Sequence, residues 1–171
     1  MIIGVLAAVL IPQVNNMVTN AKISSAVADF RSLENAGNRI FQNLGVYPPE
    51  GNWCNGGGGG SGNGDGRAFV NIAAVPATYQ SKWNGPYVKT WPKAHPWNGC
   101  VTYLQQRCGS CFDTNGIPDD ESYIHYYNTA SFTQAIKQKI DKILDDGDTN
   151  TGVVKEVRGG LAYLIGEGPV W

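Results

Sequence analysis

Four cysteines are the side chains in this sequence best able to form covalent bonds: Cys54, Cys100, Cys108 and Cys111. An even number of cysteines in a chain with few charges favours structural disulfides made in an oxidising compartment. The pair Cys108-Gly-Ser-Cys111 also has the spacing of a redox or metal-binding CxxC motif. It lies in a turn-rich stretch rather than where a strand meets a helix, and no second CxxC completes a zinc set. We therefore predict structural disulfides, with every pairing open.

An acidic turn follows the last cysteine and offers oxygen ligands of the kind that Ca²⁺ prefers. Its candidate ligands are Asp113, Asn115, Asp119 and Asp120. The pattern departs from an EF-hand loop, because Gly116 comes too early and no flanking helices are predicted. A second oxygen-rich turn contains Asp146, Asp148 and Asn150. The alternative to a calcium site is an acidic turn exposed to solvent in the first case and a helix end followed by a turn in the second.

No group of residues in the sequence predicts catalysis. His95 and His125 have no partner pattern, and no serine or cysteine is paired with a recognisable base. His125 falls in a tyrosine-rich strand, which favours a structural role. The five tryptophans could build a glycan-binding face, but large aromatic side chains more often cover a small sheet. We expect no enzymatic activity and no cofactor other than Ca²⁺.

The charge balance excludes some classes of partner. The chain has 13 Lys and Arg residues against 14 Asp and Glu residues, so its formal net charge is −1. Such a balance creates no strong field for nucleic acid or anionic lipid. Charged residues make up 16% of the chain, below the roughly 25% of ordinary soluble domains. A surface with so few charges suits an extracellular protein that packs against other copies of itself.

The first structural element begins in an apolar segment, residues 1–12, that carries no charge. This segment is too short to span a membrane, which takes about 20 apolar residues. It also lacks the basic start and the cleavage site of a complete signal peptide. We expect either that residues precede Met1 in the mature protein or that the segment is buried against protein.

An amphipathic helix is predicted to continue from this segment. Its apolar stripe is Ile23, Val27, Phe30, Leu33, Ile40 and Leu44, with Asp29 and Glu34 among the residues of the polar face. Gly45 and the prolines that follow it predict the helix end. A helix from residue 1 to 44 would be about 65 Å long, more than the rest of the chain can cover. We therefore divide the chain into a protruding apolar half-helix, residues 1–22, and a head, residues 23–171.

The head is predicted to be a small α+β domain. Residues 55–66 are so rich in glycine that we predict a flexible surface loop. Residues 100–106 and 122–128 are predicted to be antiparallel strands. A capping box at Ser131 and Gln134 predicts the start of a second helix, and two strands near residues 153–157 and 161–165 complete the sheet. A long helix followed by a small sheet with a short helix is an α+β arrangement.

Three segments resemble type IV pilins and the major pseudopilins of type II secretion. They are Gly4-Val5-Leu6-Ala7-Ala8 with Pro12 and a helix ending before Gly45-Val46-Tyr47-Pro48; Gly85-Pro86-Tyr87-Val88-Lys89-x-Trp91-Pro92 leading to Pro96-Trp97-Asn98-Gly99; and Ile140-Asp141-Lys142-x-Leu144-Asp145-Asp146-Gly147 with Thr151-Gly152 and Val154. The first agrees with the family in spacing, proline and helix length. The resemblance touches both ends and the middle of the chain.

The resemblance implies a pilin fold and assembly into a helical homopolymer. The precursor would be inserted in the inner membrane, cleaved by a prepilin peptidase and assembled by an inner-membrane platform. The contacts of the filament core would come from Gly4, Val5, Leu6, Ala7, Ala8, Val9, Leu10, Ile11, Pro12 and Val14. In this register the family's N-methylated aromatic residue and its nearby glutamate would precede Met1, so about ten residues of the mature chain would be absent here. Calcium sites in the C-terminal loops of major pseudopilins also favour the calcium interpretation of residues 113–120.

The leading hypothesis from the sequence is a structural subunit of an extracellular type IV pilus-like filament with a role in adhesion. The first alternative is a major pseudopilin of a type II secretion system. The second is a monomeric secreted module that binds glycans or surfaces through its tryptophans. Such a monomer would have to bury its apolar N-terminal segment in its own core.

Overall fold

The computed structural model describes residues 2–49, 67–105, 112, 116, 117 and 120–171, with only the backbone described at residues 2–12 and 67. The helices and strands in these ranges are α1 (Ile2–Leu44), α2 (Arg67–Val70), α3 (Ala77–Gln80), β1 (Val101–Gln105), β2 (Glu121–Tyr126), α4 (Gln134–Leu144), β3 (Val154–Val157) and β4 (Gly160–Glu167), and a 3₁₀ turn at Ile72–Ala74 separates α2 from α3. The predicted glycine-rich loop, residues 55–66, lies outside the described residues.

Helix α1 is one continuous helix of 43 residues that passes through Pro12. It ends where the sequence predicts, because Gly45 adopts a left-handed φ of 74° and its N–H donates to the carbonyl of Phe41 at 2.7 Å. All six residues of the predicted apolar stripe, from Ile23 to Leu44, are buried. The amphipathic prediction for residues 23–44 is therefore confirmed.

The four strands form one antiparallel sheet in the order β1-β2-β4-β3. The predicted pairing of β1 with β2 is confirmed, with Tyr103 opposite Ile124. The hairpin between β3 and β4 turns at Arg158 and Gly159, whose φ angles are 51° and 76°. Two successive positive φ values are characteristic of the type I′ turn, whose twist matches that of the flanking strands.

Both faces of the sheet carry apolar side chains, which alternate along each strand. On the face against α1, Phe30 stacks on Tyr126 with ring centroids 4.2 Å apart and contacts Tyr163 at 5.5 Å. The other face has a smaller cluster, in which the rings of Phe112 and Tyr123 lie 5.5 Å apart. Together the helix and the sheet confirm the α+β class.

The predicted capping box does not form. Helix α4 begins at Gln134, and its N-cap residue Thr133 makes no side-chain capping bond. The hydroxyl of Ser131 donates instead to the carbonyl of Trp97 at 3.4 Å, and the Gln134 amide donates to the Thr149 hydroxyl at 2.9 Å. Both side chains take tertiary partners because neighbouring loops bring acceptors within reach.

Three of the tryptophans lie against the rest of the head. Trp97 is buried and stacks on Phe132 at 5.0 Å. The indole N–H groups of Trp83 and Trp91 donate to the backbone carbonyls of Ala68 and Val101. All three side chains therefore pack against the core of the head, as predicted for tryptophans that cover a small sheet.

Candidate functional site

The strongest candidate for an interaction surface is residues 13–22 of α1, which we call the exposed segment. Among the side chains of α1 that the structure describes, burial begins at Ile23, and most residues of the exposed segment face solvent. Three of them are large and apolar: Val14 is 54% exposed, Met17 71% and Val18 51%. Leaving such side chains in water forgoes the free energy of burying them.

These three side chains lie on one side of the helix. Positions three and four residues apart are neighbours on a helical surface, so Met17 and Val18 both lie next to Val14. They form an apolar stripe that ends five residues before Ile23, where α1 meets the head, which is about one and a half helical turns. Such a stripe can pack against a second apolar helix, which makes residues 13–22 suited to contact with another chain.

The predicted filament-core residues divide into two groups. Val14 lies in the exposed segment and is accessible to a partner. Residues 4–12 belong to α1 by their backbone, but their side chains lie outside the described part of the chain, so their contacts stay predictions. Among the residues that the structure describes, no helix is both long enough and apolar enough to cross a membrane.

The cysteines and the first acidic turn fall largely outside the described residues. Cys100 is disulfide-bonded, whereas Cys54, Cys108 and Cys111 are not described, so the pairing stays open. Of the predicted calcium ligands, Asp113, Asn115 and Asp119 are likewise outside the described residues. Asp120 is partly buried, and its backbone carbonyl accepts a hydrogen bond from the N–H of Gly168 at 2.9 Å. The calcium prediction for this turn therefore stays a prediction.

The second acidic turn is closed by its own hydrogen bonds. The Asp146 carboxylate accepts from the N–H of Asp148 at 2.7 Å and from the hydroxyl of Thr151 at 2.7 Å. Both bonds lower the pKa of Asp146, and the bond from Thr151 has the larger effect. The Asp148 carboxylate accepts from the N–H and the side-chain amide of Asn150. The predicted ligand set of Asp146, Asp148 and Asn150 is thus present as a folded turn.

Asp145 connects this turn to the sheet. Its Oδ2 accepts hydrogen bonds from the backbone N–H groups of Val153 at 2.5 Å and Val154 at 3.3 Å. Gly152 permits this approach, because a Cβ there would lie 1.8 Å from Asp145 Oδ2, and its φ is +67°. The end of α4 is therefore tied to the start of β3 through one carboxylate.

Asp141 is the residue of this region that the sequence analysis did not single out. It is fully buried, and its carboxylate oxygens have no well-formed hydrogen bond, although the backbone N–H of Gly147 lies close to them. One carboxylate oxygen each from Asp141, Asp145 and Asp146 all lie within 4.8 Å of one another. Burial raises the pKa of Asp141 to about 6, the backbone N–H of Gly147 offsets part of that rise, and the neighbouring carboxylates add to it. The signal in the sequence is the four-residue spacing of Asp141 and Asp145, which places both on one face of a helix.

Both histidines are fixed by backbone groups. The Nε2–H of His95 donates to the carbonyl of Tyr127 at 2.8 Å, while Nδ1 accepts from the N–H of Trp97 at 3.2 Å. His125 Nε2 lies 2.9 Å from the carbonyl oxygen of Val157, to which it donates. Burial lowers the pKa of His125 to about 4. These contacts are those of structural histidines held neutral at physiological pH.

Comparisons of the chain with protein-family models, with curated proteins and with solved structures find no match. The function must therefore be argued from the two features with defined geometry. One is the exposed segment of α1, and the other is the group of three carboxylates after α4.

Proposed function

We propose that this protein is a structural subunit that polymerises through α1 into an extracellular type IV pilus-like filament. The observation that carries the proposal is the apolar stripe of Val14, Met17 and Val18 on the exposed segment. This stripe continues the uncharged sequence of residues 1–12 along the same helix. A helix that is apolar on all sides is stable only when lipid or protein surrounds it.

The energetics of burial favour assembly. If each subunit buried about 800 Å² of apolar surface against its neighbours, the gain would be on the order of 20 kcal/mol before the entropy costs of association. Contacts that join one part of a subunit to a different part of the next do not close, so they propagate into a fibre. One protruding helix on a folded head provides such an open contact.

The pilin fold is part of this proposal. An amphipathic half-helix packed on a four-stranded antiparallel sheet agrees with the architecture that the resemblance implies. By the same resemblance, the precursor would reside in the inner membrane, where a prepilin peptidase and an assembly platform would act on it. Filament-core contacts would then come from residues 4–12 together with Val14.

The test places charges on the exposed stripe. We expect the double variant Val14→Asp, Met17→Asp to abolish filaments while its head unfolds at the same temperature as the parent, because both side chains are already in solvent. The protein is expressed in cells that have its own export machinery. Surface filaments are sheared off these cells and examined by electron microscopy. The conservative double variant Val14→Ile, Met17→Leu is the matched control and should assemble normally.

Two results would contradict the proposal. The first is a normal number of filaments from the double aspartate variant. The second is loss of the folded head in that variant, measured by circular dichroism of the purified subunit. The second result would mean that the exposed segment stabilises the monomer rather than a polymer.

A pseudopilin is the second candidate, and the segment 85–99 favours it. Within this segment the Tyr87 hydroxyl accepts a hydrogen bond from the Asn43 side chain of α1 at 2.8 Å, and the Arg39 guanidinium lies 5.4 Å from the centre of its ring. This part of the pseudopilin-like sequence is thus packed against α1. Deletion of the gene distinguishes the candidates: loss of surface fibres supports a pilus, and loss of protein secretion from cells without such fibres supports a pseudopilus.

A further inference from the structure

We propose that Lys22 of one subunit forms an ion pair with Asp29 of the next copy of this chain, with the two α1 helices parallel and offset by seven residues. This inference rests on the proposed assembly through α1 and names the contact that sets its register. Three observations carry it: a cation without a partner, an acid with free acceptor capacity, and a groove beside that acid.

Charge is almost absent from the part of α1 that a second chain can contact. Lys22 is the only charged side chain among residues 1–28, and Asp29 is the next one along the chain. Lys22 is partly buried, and the described part of the structure gives its side chain neither an ion pair nor a hydrogen bond. When a second apolar helix covers this segment, the ammonium loses more of its water. That loss is costly unless a carboxylate compensates for it.

The acid of the same helix does not pair with Lys22. Seven residues separate the two Cα atoms by about 10 Å along the helix axis. Side chains of a helix also lean toward its N-terminus, so the stem of Lys22 leans away from Asp29. The next acid in the sequence is Glu34, which is farther still. A second chain, shifted along the axis, can bring its own Lys22 to Asp29.

Asp29 is placed to accept such a cation. Its carboxylate is partly buried and accepts a hydrogen bond from the Tyr126 hydroxyl at 3.3 Å, which leaves other lone pairs free. It lines a groove of about 450 Å³ together with Leu33 and Lys89. A lysine that entered this groove would pack its methylene stem against Leu33 and bring its ammonium to the carboxylate. Lys89 makes no ion pair with Asp29 in the described structure, so the acid is available.

The distribution of charge selects the parallel arrangement. Lys22 and Asp29 lie on the same side of α1, because seven residues are close to two full turns. In a parallel pair with this offset, the uncharged residues 1–21 of the two helices lie side by side. An antiparallel pair would place residues 1–12 beside the end of the helix that carries the exposed Arg39. The parallel contact joins different residues of the two copies, so it repeats from copy to copy without closing.

The test is a charge swap in the full chain, expressed with its own export machinery. Lys22→Glu should lower the yield of sheared filaments by at least about tenfold, because it places two acids together in the contact. Lys22→Arg should assemble normally, and Lys22→Glu combined with Asp29→Lys should restore filaments. The matched control is Lys139→Glu, the same charge change at an exposed lysine of α4 that has no described partner. It should assemble as the parent does.

A second measurement does not depend on the folding of the double variant, in which the Tyr126 hydroxyl loses its acceptor. A carbodiimide joins an amine to a carboxylate only where the two are in contact. Treated parent filaments should give a peptide linking Lys22 to Asp29, found by mass spectrometry in the bands of dimers and larger oligomers. Lys22→Arg filaments should lack this peptide, because a guanidinium does not react.

The possible failures are distinguishable. A parent that forms no filaments overturns both the proposed function and the ion pair. Parent filaments together with a normal yield from Lys22→Glu overturn the ion pair alone. The pair is equally overturned if the linked peptide is missing from parent filaments or if crosslinking stops at dimers, as a closed antiparallel pair would give. A lower unfolding temperature of the Lys22→Glu subunit, measured by circular dichroism, would place the role of Lys22 within the monomer and also overturn the proposal.

Discussion

At the scale of single residues, two carboxylates of α1 are engaged by tyrosines of the sheet. The hydroxyl of Tyr126 donates to Asp29 Oδ2 at 3.3 Å, and that of Tyr163 donates to Glu34 Oε2 at 2.8 Å. Partial burial raises the pKa of Asp29, and the bond from Tyr126 offsets part of that rise. The sequence analysis placed both acids on the polar face of the helix. They lie instead at its border, where a tyrosine is long enough to reach them from the sheet.

Gly152 should be intolerant of any side chain. Gly152→Ala would put a Cβ against Asp145 Oδ2 and hold a non-glycine residue at a positive φ. We expect a loss of at least about 2 kcal/mol in the free energy of unfolding, measured by chemical denaturation. Gly45→Ala is the control, because its φ is also positive but no atom lies within 4 Å of the added Cβ. It should cost about 1 kcal/mol. If both variants lose the same free energy of unfolding, the close contact between residue 152 and Asp145 does not affect stability.

His125 should make the protein less stable in acid. Its pKa is about 4 in the folded chain, below the ordinary value of about 6.5. Between these values the unfolded chain binds a proton that the folded chain does not, so stability falls as the pH drops from about 6.5 to about 4. The contribution of this one group is at most about 3 kcal/mol. The positive charges of Arg158 and Lys137 add to the effect, because they oppose protonation of His125.

The measurement is the free energy of unfolding against pH for the parent and for His125→Gln. Glutamine can still donate to the carbonyl of Val157 but does not titrate. Its curve should be flatter than that of the parent between pH 6.5 and 4. Parallel curves would mean that His125 is protonated in the folded chain as readily as in the unfolded one.

At the scale of elements, the contact between α1 and the sheet holds the head together. Phe30 is fully buried between the rings of Tyr126 and Tyr163. Phe30→Ala should cost about 3–5 kcal/mol of unfolding free energy, because it removes the buried ring and leaves a cavity. Val18→Ala, on the exposed segment of the same helix, should change stability by less than about 0.5 kcal/mol. If the two variants lose the same amount, the helix is not stabilised by its contact with the sheet.

Helix α4 is held to the β3–β4 hairpin by an ion pair between a buried lysine and a partly exposed glutamate. The Lys137 ammonium is almost fully buried, lies 3.0 Å from Glu156 Oε1, and also donates to the carbonyl of Gly159. Buried lysines need such partners, because an isolated charge in the core is strongly unfavourable. The hydrophobic periodicity of residues 132–143 predicts the helix. It does not predict that one of its lysines turns inward.

At the scale of the whole molecule, the exposed segment and the head should be separable. A chain that begins at Ile23 keeps all the residues of α1 whose burial the structure describes. We expect it to be a folded monomer whose unfolding temperature lies close to that of the full chain, and to form no filaments. Analytical ultracentrifugation and circular dichroism measure the two properties. A truncated chain that unfolds would contradict the division of the molecule at residue 22.

The sequence by itself determined the elements whose signals are local. The spacing of three, four or seven residues from Ile23 to Leu44 predicts the buried helical stripe, and Gly45 predicts its end, because both depend on the geometry of one helix. The β-branched and aromatic runs predict all four strands and the first pairing, since neighbouring strands in the chain usually pair. The apolar start of the chain predicts a helix that the head cannot cover.

Only the tertiary structure decided which polar groups are buried and what they contact. The sequence predicts that Ser131 caps a helix. In the structure its hydroxyl donates instead to the carbonyl of Trp97, which the fold brings close to it. Asp141 looks in the sequence like one more charge on a helix, but in the structure α4 buries it beside Asp145 and Asp146. Burial and hydrogen bonding of a side chain depend on residues far away in the sequence. Periodicity within one element carries no information about those partners.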